Sequence, residues 1–272
     1  MKDFKDKVVV ITGAGSGMGR AYAMAFARRG ARLALNDYDQ KALEATVALL
    51  PSGSTPRVLA KAFDVSDRAA MYAFADEVQR EMGGAHVVIN NAGIEASSLP
   101  TWLTPDADYE RVMRINYFGV VNGTKAFLPQ MMARKEGAIV NVSSIMGLMG
   151  APSQSDYCAS KFAVRGFTES LMMELHDSPI SVHLVHPGGI ATNIVRKDQG
   201  KAFAKRYLTT PPEDIVEHVI RGIGRGRVRI VYGRGALRAW LGANLVPQRW
   251  LNTIIWRELK QSCDPALYQN LR

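Results

Sequence analysis

A tyrosine and a lysine four residues apart, Tyr157 and Lys161, form the pair in this sequence best suited to proton transfer. On a helix this spacing places both side chains on one face. A free tyrosine titrates near pH ~10, too high for a base at neutral pH, but an adjacent ammonium group favours the tyrosinate and so lowers the pKa. The pair alone also fits a surface tyrosine beside a solvated lysine, so its chemistry depends on the surrounding residues.

A glycine-rich segment near the amino terminus has the composition of a phosphate-binding loop. Residues 12–19 read Thr-Gly-Ala-Gly-Ser-Gly-Met-Gly and join a short β-branched run to a helix-length segment. Glycines let the backbone approach a pyrophosphate, and the start of a helix offers free N–H groups and a partial positive charge. Gly13, Gly17 and Gly19 fit T-G-x-x-x-G-x-G rather than G-x-G-x-x-G. The strand-then-helix context predicts a dinucleotide site here.

An acidic residue at the end of the second apolar run bears on which dinucleotide binds. Asp37 follows Gly17 by 20 residues. Its carboxylate can accept hydrogen bonds from an adenosine ribose, and it would repel a 2′-phosphate. A helix N-cap or a turn carboxylate is the alternative role. The basic residues Arg20 and Arg32 lie nearby in the sequence and keep NADP open, but we predict NAD as the cofactor.

These residues must be positioned by a sheet. Seven short apolar runs alternate with helix-length segments, and they cover residues 7–12, 32–36, 58–65, 86–90, 138–142, 181–186 and 228–231. Continuous apolar strands separated by helices indicate a parallel sheet covered on both faces. We predict one doubly wound α/β domain over residues 1–235, a mostly parallel seven-stranded Rossmann sheet with helices on both faces.

The composition is that of a globular protein. Hydrophobic residues make up 47% of the 272 and charged residues 22%, which excludes disordered, collagen-like and coiled-coil chains. Two cysteines, Cys158 and Cys263, cannot build a disulfide framework or a zinc site, and we predict no metal. The polar amino terminus lacks the apolar region of a secretory signal, and no charge-free apolar run reaches the ~18 residues of a membrane span. We therefore predict a soluble cytoplasmic protein.

Further motifs follow in order along the chain. They are Asn-Asn-Ala-Gly at 90–93, Asn116, Ser-Ser at 143–144, Tyr157-x-x-x-Lys161 and Pro-Gly-Gly-Ile-Ala-Thr at 187–192. With the glycine loop, this ordered set resembles the short-chain dehydrogenase/reductase family over about residues 5–235. Each motif alone is weak, whereas the set is very specific. The resemblance implies an oxidoreductase that transfers a hydride between a nicotinamide cofactor and an alcohol or ketone.

The resemblance also implies catalytic roles for four residues. Tyr157 would be the acid and base, and Lys161 would lower the pKa of Tyr157 and hold the ribose. Ser144, 13 residues before Tyr157, would orient the substrate, whereas its neighbour Ser143 would be structural. Asn116 would stabilise a helix bend and hold a water that relays protons to the lysine.

A set of cofactor-binding residues is implied in the same way. They are Gly13, Ser16, Gly17, Met18, Gly19, Asp37, Asp64, Val65, Asn91, Ala92, Gly93, Tyr157, Lys161, Pro187, Gly188, Ile190 and Thr192. Asp64 and Val65 are expected beside the adenine ring, and Ile190 and Thr192 at the carboxamide. Asn90 is also expected to line the ribose region.

The substrate is less well defined. Met146, Leu148 and Met149 are apolar and adaptable side chains that follow Ser144, and they fit either a substrate pocket or the core. Glu95 is the one charge expected close to the site, either in it or at its rim. We predict an apolar secondary alcohol or ketone as substrate. Residues 194–212 interrupt the strand and helix rhythm and are predicted to be a substrate lid, with a solvated connecting helix as the alternative.

The carboxyl-terminal region carries the net positive charge. Residues 1–217 contain 24 Lys/Arg and 23 Asp/Glu, whereas the rest of the chain contains 10 and 2. Residues 236–272 form a basic extension that holds Trp240, Trp250 and Trp256. We predict that it packs on the domain or on a partner subunit of a homodimer or homotetramer. A membrane-surface helix is a less favoured alternative, and nucleic acid is not predicted because no recognised motif accompanies the arginines.

The sequence thus predicts an NAD-dependent short-chain alcohol dehydrogenase or ketone reductase. One alternative is an NADPH-dependent ketoreductase, for example one that acts on an acyl chain carried by an acidic protein. The other is a non-catalytic NAD-binding sensor or scaffold. The complete Asn–Ser–Tyr–Lys set argues against the sensor, because a protein that only binds has no need of it.

Overall fold

A single parallel sheet organises the chain. The computed structural model describes residues 1, 3–51, 58–195 and 198–271. Over these residues seven strands pair in the order β3-β2-β1-β4-β5-β6-β7, and every pairing is parallel. The strands are β1 (Val8–Thr12), β2 (Arg32–Asp37), β3 (Val58–Ala62), β4 (Val87–Asn90), β5 (Gly137–Val142), β6 (Ile180–Pro187) and β7 (Arg229–Tyr232). The predicted fold class is confirmed, and the sheet is parallel throughout.

Helices cover both faces of this sheet. Those of the main domain are α1 (Gly17–Ala27), α2 (Gln40–Ala48), α3 (Arg68–Met82), α4 (Asp106–Met113), α5 (Gly119–Arg134), α6 (Ser155–Glu174), α7 (Asp198–Tyr207) and α8 (Pro212–Gly224). A π-helical segment, Arg114–Phe118, joins α4 to α5, and a 3-10 turn, Ile145–Gly147, follows β5. The helices that connect successive strands are what allow neighbouring strands to run parallel.

Strand β1 shows why the sheet needs cover on both sides. Val9 and Ile11 belong to one apolar cluster, which α1 and α8 complete, while Val8 and Val10 belong to another, which α3 and α5 complete. Successive side chains of a strand point to opposite faces, so a run without polar positions must be buried on both.

The strand order reverses between β1 and β4, which are neighbours in space but not in sequence. The chain continues from β1 to α1 on one face of the sheet and from β4 toward α5 on the other face, which leaves a crevice at the carboxyl edge of the sheet. In doubly wound folds ligands bind in this crevice. The glycine loop after β1 and the Asn-Asn-Ala-Gly segment after β4 both lie at its edge.

The carboxyl-terminal extension forms two further helices, α9 (Ala236–Leu245) and α10 (Gln248–Leu259), followed by the 3-10 segments Lys260–Ser262 and Pro265–Leu271. Helix α9 contacts β7 and the turn after β5. The predicted lid contains α7, but its Arg196 and Lys197 lie outside the described residues. Within the described ranges, no helix has the length and apolar character to cross a membrane.

Candidate active site

The glycine loop presents the start of α1 to the crevice. Gly17 opens the helix at φ +51°, a left-handed conformation that favours glycine, and a Cβ there would lie 3.1 Å from the side chain of Thr192. Ser16 occupies the N-cap, yet its side chain makes no capping hydrogen bond. Within the part of the chain that the structure describes, the first N–H groups of α1 therefore have no side-chain acceptor, which is the arrangement that a phosphate can satisfy.

Thr12 joins this loop to the segment after β4. Its hydroxyl oxygen accepts hydrogen bonds from the backbone N–H groups of Asn91 at 3.0 Å and Ala92 at 3.1 Å. The Asn91 amide in turn donates to the Thr12 carbonyl at 3.0 Å. The two loops at the strand-order reversal are thus held together, and together they form the floor of the crevice.

Asp37 ends β2 and lies 8% exposed beside the glycine loop. One carboxylate oxygen accepts from the N–H of Gly15 at 2.7 Å, and the other accepts from the N–H of Asp39 at 3.0 Å. The N-cap of α2 is Asp39 rather than Asp37. Because a carboxylate has about four acceptor positions, Asp37 keeps capacity for further donors.

The two basic residues near Asp37 in the sequence have other partners. Arg20 donates to the Gly15 carbonyl and, at 2.9 Å, to the Thr46 hydroxyl. Arg32 lies at the opposite end of β2 and donates to the Asp6 carbonyl at 3.0 Å. Both guanidinium groups thus serve to hold loops in place.

Asp64 and Val65 follow the end of β3, which stops three residues before the predicted end of this strand. The Asp64 carboxylate is exposed and accepts from the N–H of Ser66 at 2.8 Å, which makes a local turn. Val65 is buried, and a Cβ on Gly119 would lie 2.7 Å from its side chain. The Asn122 amide of α5 donates to the Val65 carbonyl at 3.1 Å, so α5 holds this segment in place, and its predicted contact with the adenine ring stays a prediction.

The proposed catalytic side chains converge at the start of α6. Tyr157 is half-buried, and its hydroxyl is hydrogen-bonded to the Ser144 side chain. Burial raises the pKa of Tyr157 to about 12, although the Ser144 hydrogen bond acts in the opposite direction. The Lys161 ammonium lies 5.6 Å from the centre of the Tyr157 ring and donates to the Val142 carbonyl at 3.1 Å. Burial lowers the pKa of Lys161 to about 8.

Two buried serines stabilise the helix that carries Tyr157 and Lys161 by hydrogen bonds to its backbone carbonyls. The Ser143 hydroxyl donates to the Lys161 carbonyl at 2.8 Å, so Ser143 supports the helix that carries the lysine. The Ser160 hydroxyl donates to the Tyr157 carbonyl at 2.8 Å. Ser144 points the other way, toward Tyr157, and its own oxygen accepts from the N–H of Met146 at 3.1 Å.

Asn116 lies in the π-helical segment and is fully buried. Its side-chain oxygen accepts from the N–H of Ile94 at 2.8 Å, and its amide nitrogen donates to the Ile94 carbonyl and to Ser160, both at 3.1 Å. A Cβ on Gly93 would lie 3.1 Å from the Asn116 oxygen and 3.5 Å from the Lys161 nitrogen. Asn116 therefore ties the loop after β4 to α6, and the predicted water relay stays a prediction.

The segment after β6 closes the crevice on its far side. Pro187 ends the strand, and the N–H of Gly188 donates to the Tyr232 carbonyl at 2.8 Å. Ile190 is buried, and the Thr192 side chain faces Gly17 across the gap. An open cavity of about 340 Å³ has Gly17 and Thr192 in its lining.

The residues predicted to meet substrate lie around the same cluster. Glu95, Met146 and Met149 are all half-buried, whereas Leu148 is buried at 5% exposure and belongs to the interior. Asp156 is fully buried and connects the loop after β4 to α6. It accepts from the N–H of Ser97 at 2.7 Å and from the N–H of Tyr157 at 2.8 Å.

A family model described as short chain dehydrogenase matches residues 7–202, well over half of the chain. This chain belongs to the short-chain dehydrogenase family. The predicted resemblance is confirmed, and members of this family bind a nicotinamide cofactor.

Three proteins are similar in sequence to this short-chain dehydrogenase over much of its length. The putative oxidoreductase SadH of Mycobacterium tuberculosis is 42% identical over 245 residues, which cover 86% of this chain and 88% of the relative. Dehydrogenase/reductase SDR family member 7B of Bos taurus is 36% identical over 239 residues, 84% of this chain and 73% of the relative. Epidermal retinol dehydrogenase 2 of Mus musculus is 42% identical over 174 residues, which cover 64% of this chain and 56% of the relative.

Two solved structures are similar along most of the chain. A levodione reductase superposes with a TM-score of 0.79 at 32% identity and covers 87% of this chain and 99% of its own. A short-chain dehydrogenase/reductase from Burkholderia phymatum in complex with NAD superposes with a TM-score of 0.80 at 29% identity and covers 97% and 98%.

The residues of this short-chain dehydrogenase fit a nicotinamide dinucleotide. The uncapped start of α1 offers N–H donors to the phosphates. Gly17 approaches Thr192 closely and leaves a narrow gap that a side chain at position 17 would enter. The acidic end of β2 offers acceptors to a ribose. The side chain of Asn90, in contrast, does not lie where the sequence predicted. Its side chain is 2% exposed and donates to Thr124 and Asn141, so it supports the floor from beneath rather than lining it.

The sequence did not single out Thr12, Asp156 or Ser160 as site residues. Each is buried and hydrogen-bonds to the backbone of a predicted site residue. Short polar side chains are common in any sequence, and only the tertiary fold shows which backbone groups they reach.

Proposed function

We propose that this enzyme transfers a hydride between NAD(H) and an apolar secondary alcohol or ketone, with Tyr157 as the acid and base. The observation that carries this proposal is the convergence of the Tyr157 phenol, the Ser144 hydroxyl and the buried Lys161 ammonium at the open edge of the sheet. When bound in the crevice, the nicotinamide supplies the hydride to the ketone or accepts it from the alcohol.

The protonation states suit ketone reduction at neutral pH. Because the pKa of Tyr157 is raised to about 12, its phenol carries the proton that the carbonyl oxygen needs as it gains negative charge. The Ser144 hydroxyl donates a second hydrogen bond to that oxygen and so fixes the position of the carbonyl. For alcohol oxidation Tyr157 must release its proton first, and the positive charge of Lys161 beside its ring favours this release.

The contacts of Asp37 support NAD over NADP. The nearly buried carboxylate lies against the glycine loop, where it can accept hydrogen bonds from the adenosine ribose and where a 2′-phosphate would meet negative charge. Arg20 and Arg32, the basic residues that could have favoured the phosphate, are hydrogen-bonded to backbone carbonyls.

The walls of the site support an apolar substrate. Met146 and Met149 contribute half-buried apolar surface after Ser144. The Tyr268 hydroxyl is hydrogen-bonded to the Ser153 hydroxyl at 2.8 Å, and the rings of Trp102 and Trp256 lie 5.4 Å and 5.5 Å from the ring of Tyr268. By their names, two similar proteins act on levodione and on retinol.

Replacing Tyr157 with Phe tests the assignment of the acid and base. The variant removes one oxygen, and we expect turnover with a panel of apolar ketones to fall about 10²- to 10⁴-fold, the usual contribution of a general acid. NAD(H) binding, measured by fluorescence quenching, should persist. The matched control is Tyr72→Phe on α3, which should keep wild-type turnover. Turnover of Tyr157→Phe within a few-fold of wild type would refute the role.

Replacing Asp37 with Ala tests the choice of cofactor. Loss of hydrogen bonds to a charged acceptor should weaken NAD binding by roughly ten- to a hundred-fold, while NADP binding should change little or improve. The control is Asp39→Asn, which removes a neighbouring charge but keeps an equally good N-cap on α2. An unchanged cofactor preference in Asp37→Ala would refute this role of Asp37. A preference of the wild-type enzyme for NADP(H) would support the NADPH ketoreductase, and tight cofactor binding without turnover of any ketone would support the sensor.

A further inference from the structure

Helices α9 and α10 each expose large apolar side chains. Leu237, Leu241 and Leu245 follow one another at four-residue intervals on α9, and Trp250 and Ile254 do the same on α10. Leu245 is 74% exposed, Leu237 64% and Trp250 61%. We call these five side chains the α9–α10 face.

Other sides of the two helices anchor them to the rest of the chain. Ala236 and Ala239 of α9 are buried, as are Leu251 and Ile255 of α10. The α9–α10 face is therefore surplus to what the fold itself needs, and large exposed apolar patches of this kind mark interaction sites.

The charge around this face is mostly positive, with the exposed Glu258 near the end of α10 as the exception. Asp and Glu are absent from residues 218–257, while this stretch contains eight arginines. Arg238, Arg249 and Arg257 lie exposed on the two helices, and none of them pairs with a carboxylate among the described residues. A matching partner must therefore combine an apolar layer with negative charge.

We propose that the α9–α10 face docks on the surface of an anionic lipid bilayer. Leucine and tryptophan side chains would enter the boundary between headgroups and acyl chains, and the arginines would lie among the headgroups. A second copy of this chain is a poorer match, because the usual two-fold contact places the same patch on both subunits and would bring arginines against arginines. The helices lie on such a surface and do not cross it.

Vesicle sedimentation of the full chain tests this proposal. We expect binding to vesicles of phosphatidylcholine mixed with phosphatidylglycerol in equal parts, with little binding to phosphatidylcholine alone and strong weakening by salt. Leu245→Gln should lower the partition coefficient on the order of ten-fold, because a buried leucine is lost from the lipid. Arg249→Gln should lower it about five-fold, the effect of one cation near an anionic surface.

The controls replace equally exposed residues elsewhere. Met173→Gln on α6 removes an apolar side chain that is 77% exposed, and Arg80→Gln on α3 removes an exposed guanidinium, and both should bind like wild type. Thermal melts with and without NAD(H) check that each variant folds. Failure of the wild type to sediment with phosphatidylglycerol vesicles, or equal loss in the control variants, would overturn the proposal. A dimer in analytical ultracentrifugation that Leu245→Gln dissociates, without vesicle binding, would overturn it in favour of a subunit interface.

Discussion

At the scale of single residues, burial shifts the pKa values of Tyr157 and Lys161 in opposite directions. It raises the pKa of Tyr157 to about 12 and lowers the pKa of Lys161 to about 8, because in each case burial disfavours the charged form. The sequence-based argument that the ammonium lowers the tyrosine pKa is therefore outweighed in the free chain. The lysine, rather than the tyrosine, is the group that changes charge near neutral pH.

This difference predicts the pH profile of ketone reduction. Lys161 should lose its proton as the pH rises through about 8, and the value of kcat/KM for the reduced cofactor, which reports the free enzyme, should fall above that pH. Tyr157 stays protonated over the same range. In Lys161→Arg the charge persists, so the profile should lose this limb even if the absolute rate is lower. Steady-state kinetics between pH 6 and 10 measure it, and an unchanged limb in the variant would contradict the assignment to Lys161.

At the scale of elements, two loops, the π-helical segment and α6 are fixed to one another by single buried side chains. Thr12 joins the loops after β1 and β4, Asn116 joins the π-helical segment to both Ile94 and Ser160, and Asp156 joins Ser97 to α6. The site is thus rigid where the backbone must face a ligand, although its residues come from distant parts of the chain.

Asp156 offers a test of this coupling. Asp156→Asn replaces one of two carboxylate acceptors by a donor that faces an N–H group, so we expect the free energy of unfolding to fall by about 1–3 kcal/mol. The loop around Ser97 should lose its attachment to α6, which should raise KM for the ketone more than it changes NAD(H) affinity. The exposed Asp177→Asn serves as the control. Equal effects on KM and cofactor affinity would argue that Asp156 acts on the fold alone.

The sequence predicted the elements better than the contacts between them. All seven strands were found because their apolar runs are short, β-branched and separated by helices, and the motifs include the residues that we propose are catalytic, which lie together in the structure. Asn90 was misplaced because a motif does not show which way a side chain points. On α10 the sequence does not show which apolar side chains are buried, and α10 packs with Leu251 and Ile255 and leaves Trp250 and Ile254 exposed.

At the scale of the whole molecule, the parallel sheet buries titratable groups at both ends of its strands. His186 on β6 is fully buried and hydrogen-bonds to the Ser144 carbonyl at 2.8 Å through its Nδ1. Burial lowers the pKa of His186 to about 4, and burial with Arg134 nearby does the same for the half-buried His86 before β4. Both rings are therefore neutral in the folded enzyme at neutral pH.

These histidines should make the fold sensitive to acid. The unfolded chain takes up a proton on each ring near pH 6.5, whereas the folded chain does so only near 4, so protons favour the unfolded state between these values. The free energy of unfolding should fall as the pH drops from about 6.5 to about 4, and the buried His186 corresponds to roughly 3 kcal/mol of that loss. Urea unfolding at a series of pH values measures the slope.

His186→Asn isolates the contribution of one ring. Asparagine can still donate to the Ser144 carbonyl but does not titrate, so the variant should lose less stability than wild type between pH 6.5 and 4, by roughly the same 3 kcal/mol. His176→Asn, at an exposed position after α6, should retain the wild-type slope. If the free energy of unfolding of His186→Asn and of the wild type depends on pH in the same way, then the acid sensitivity belongs to other groups.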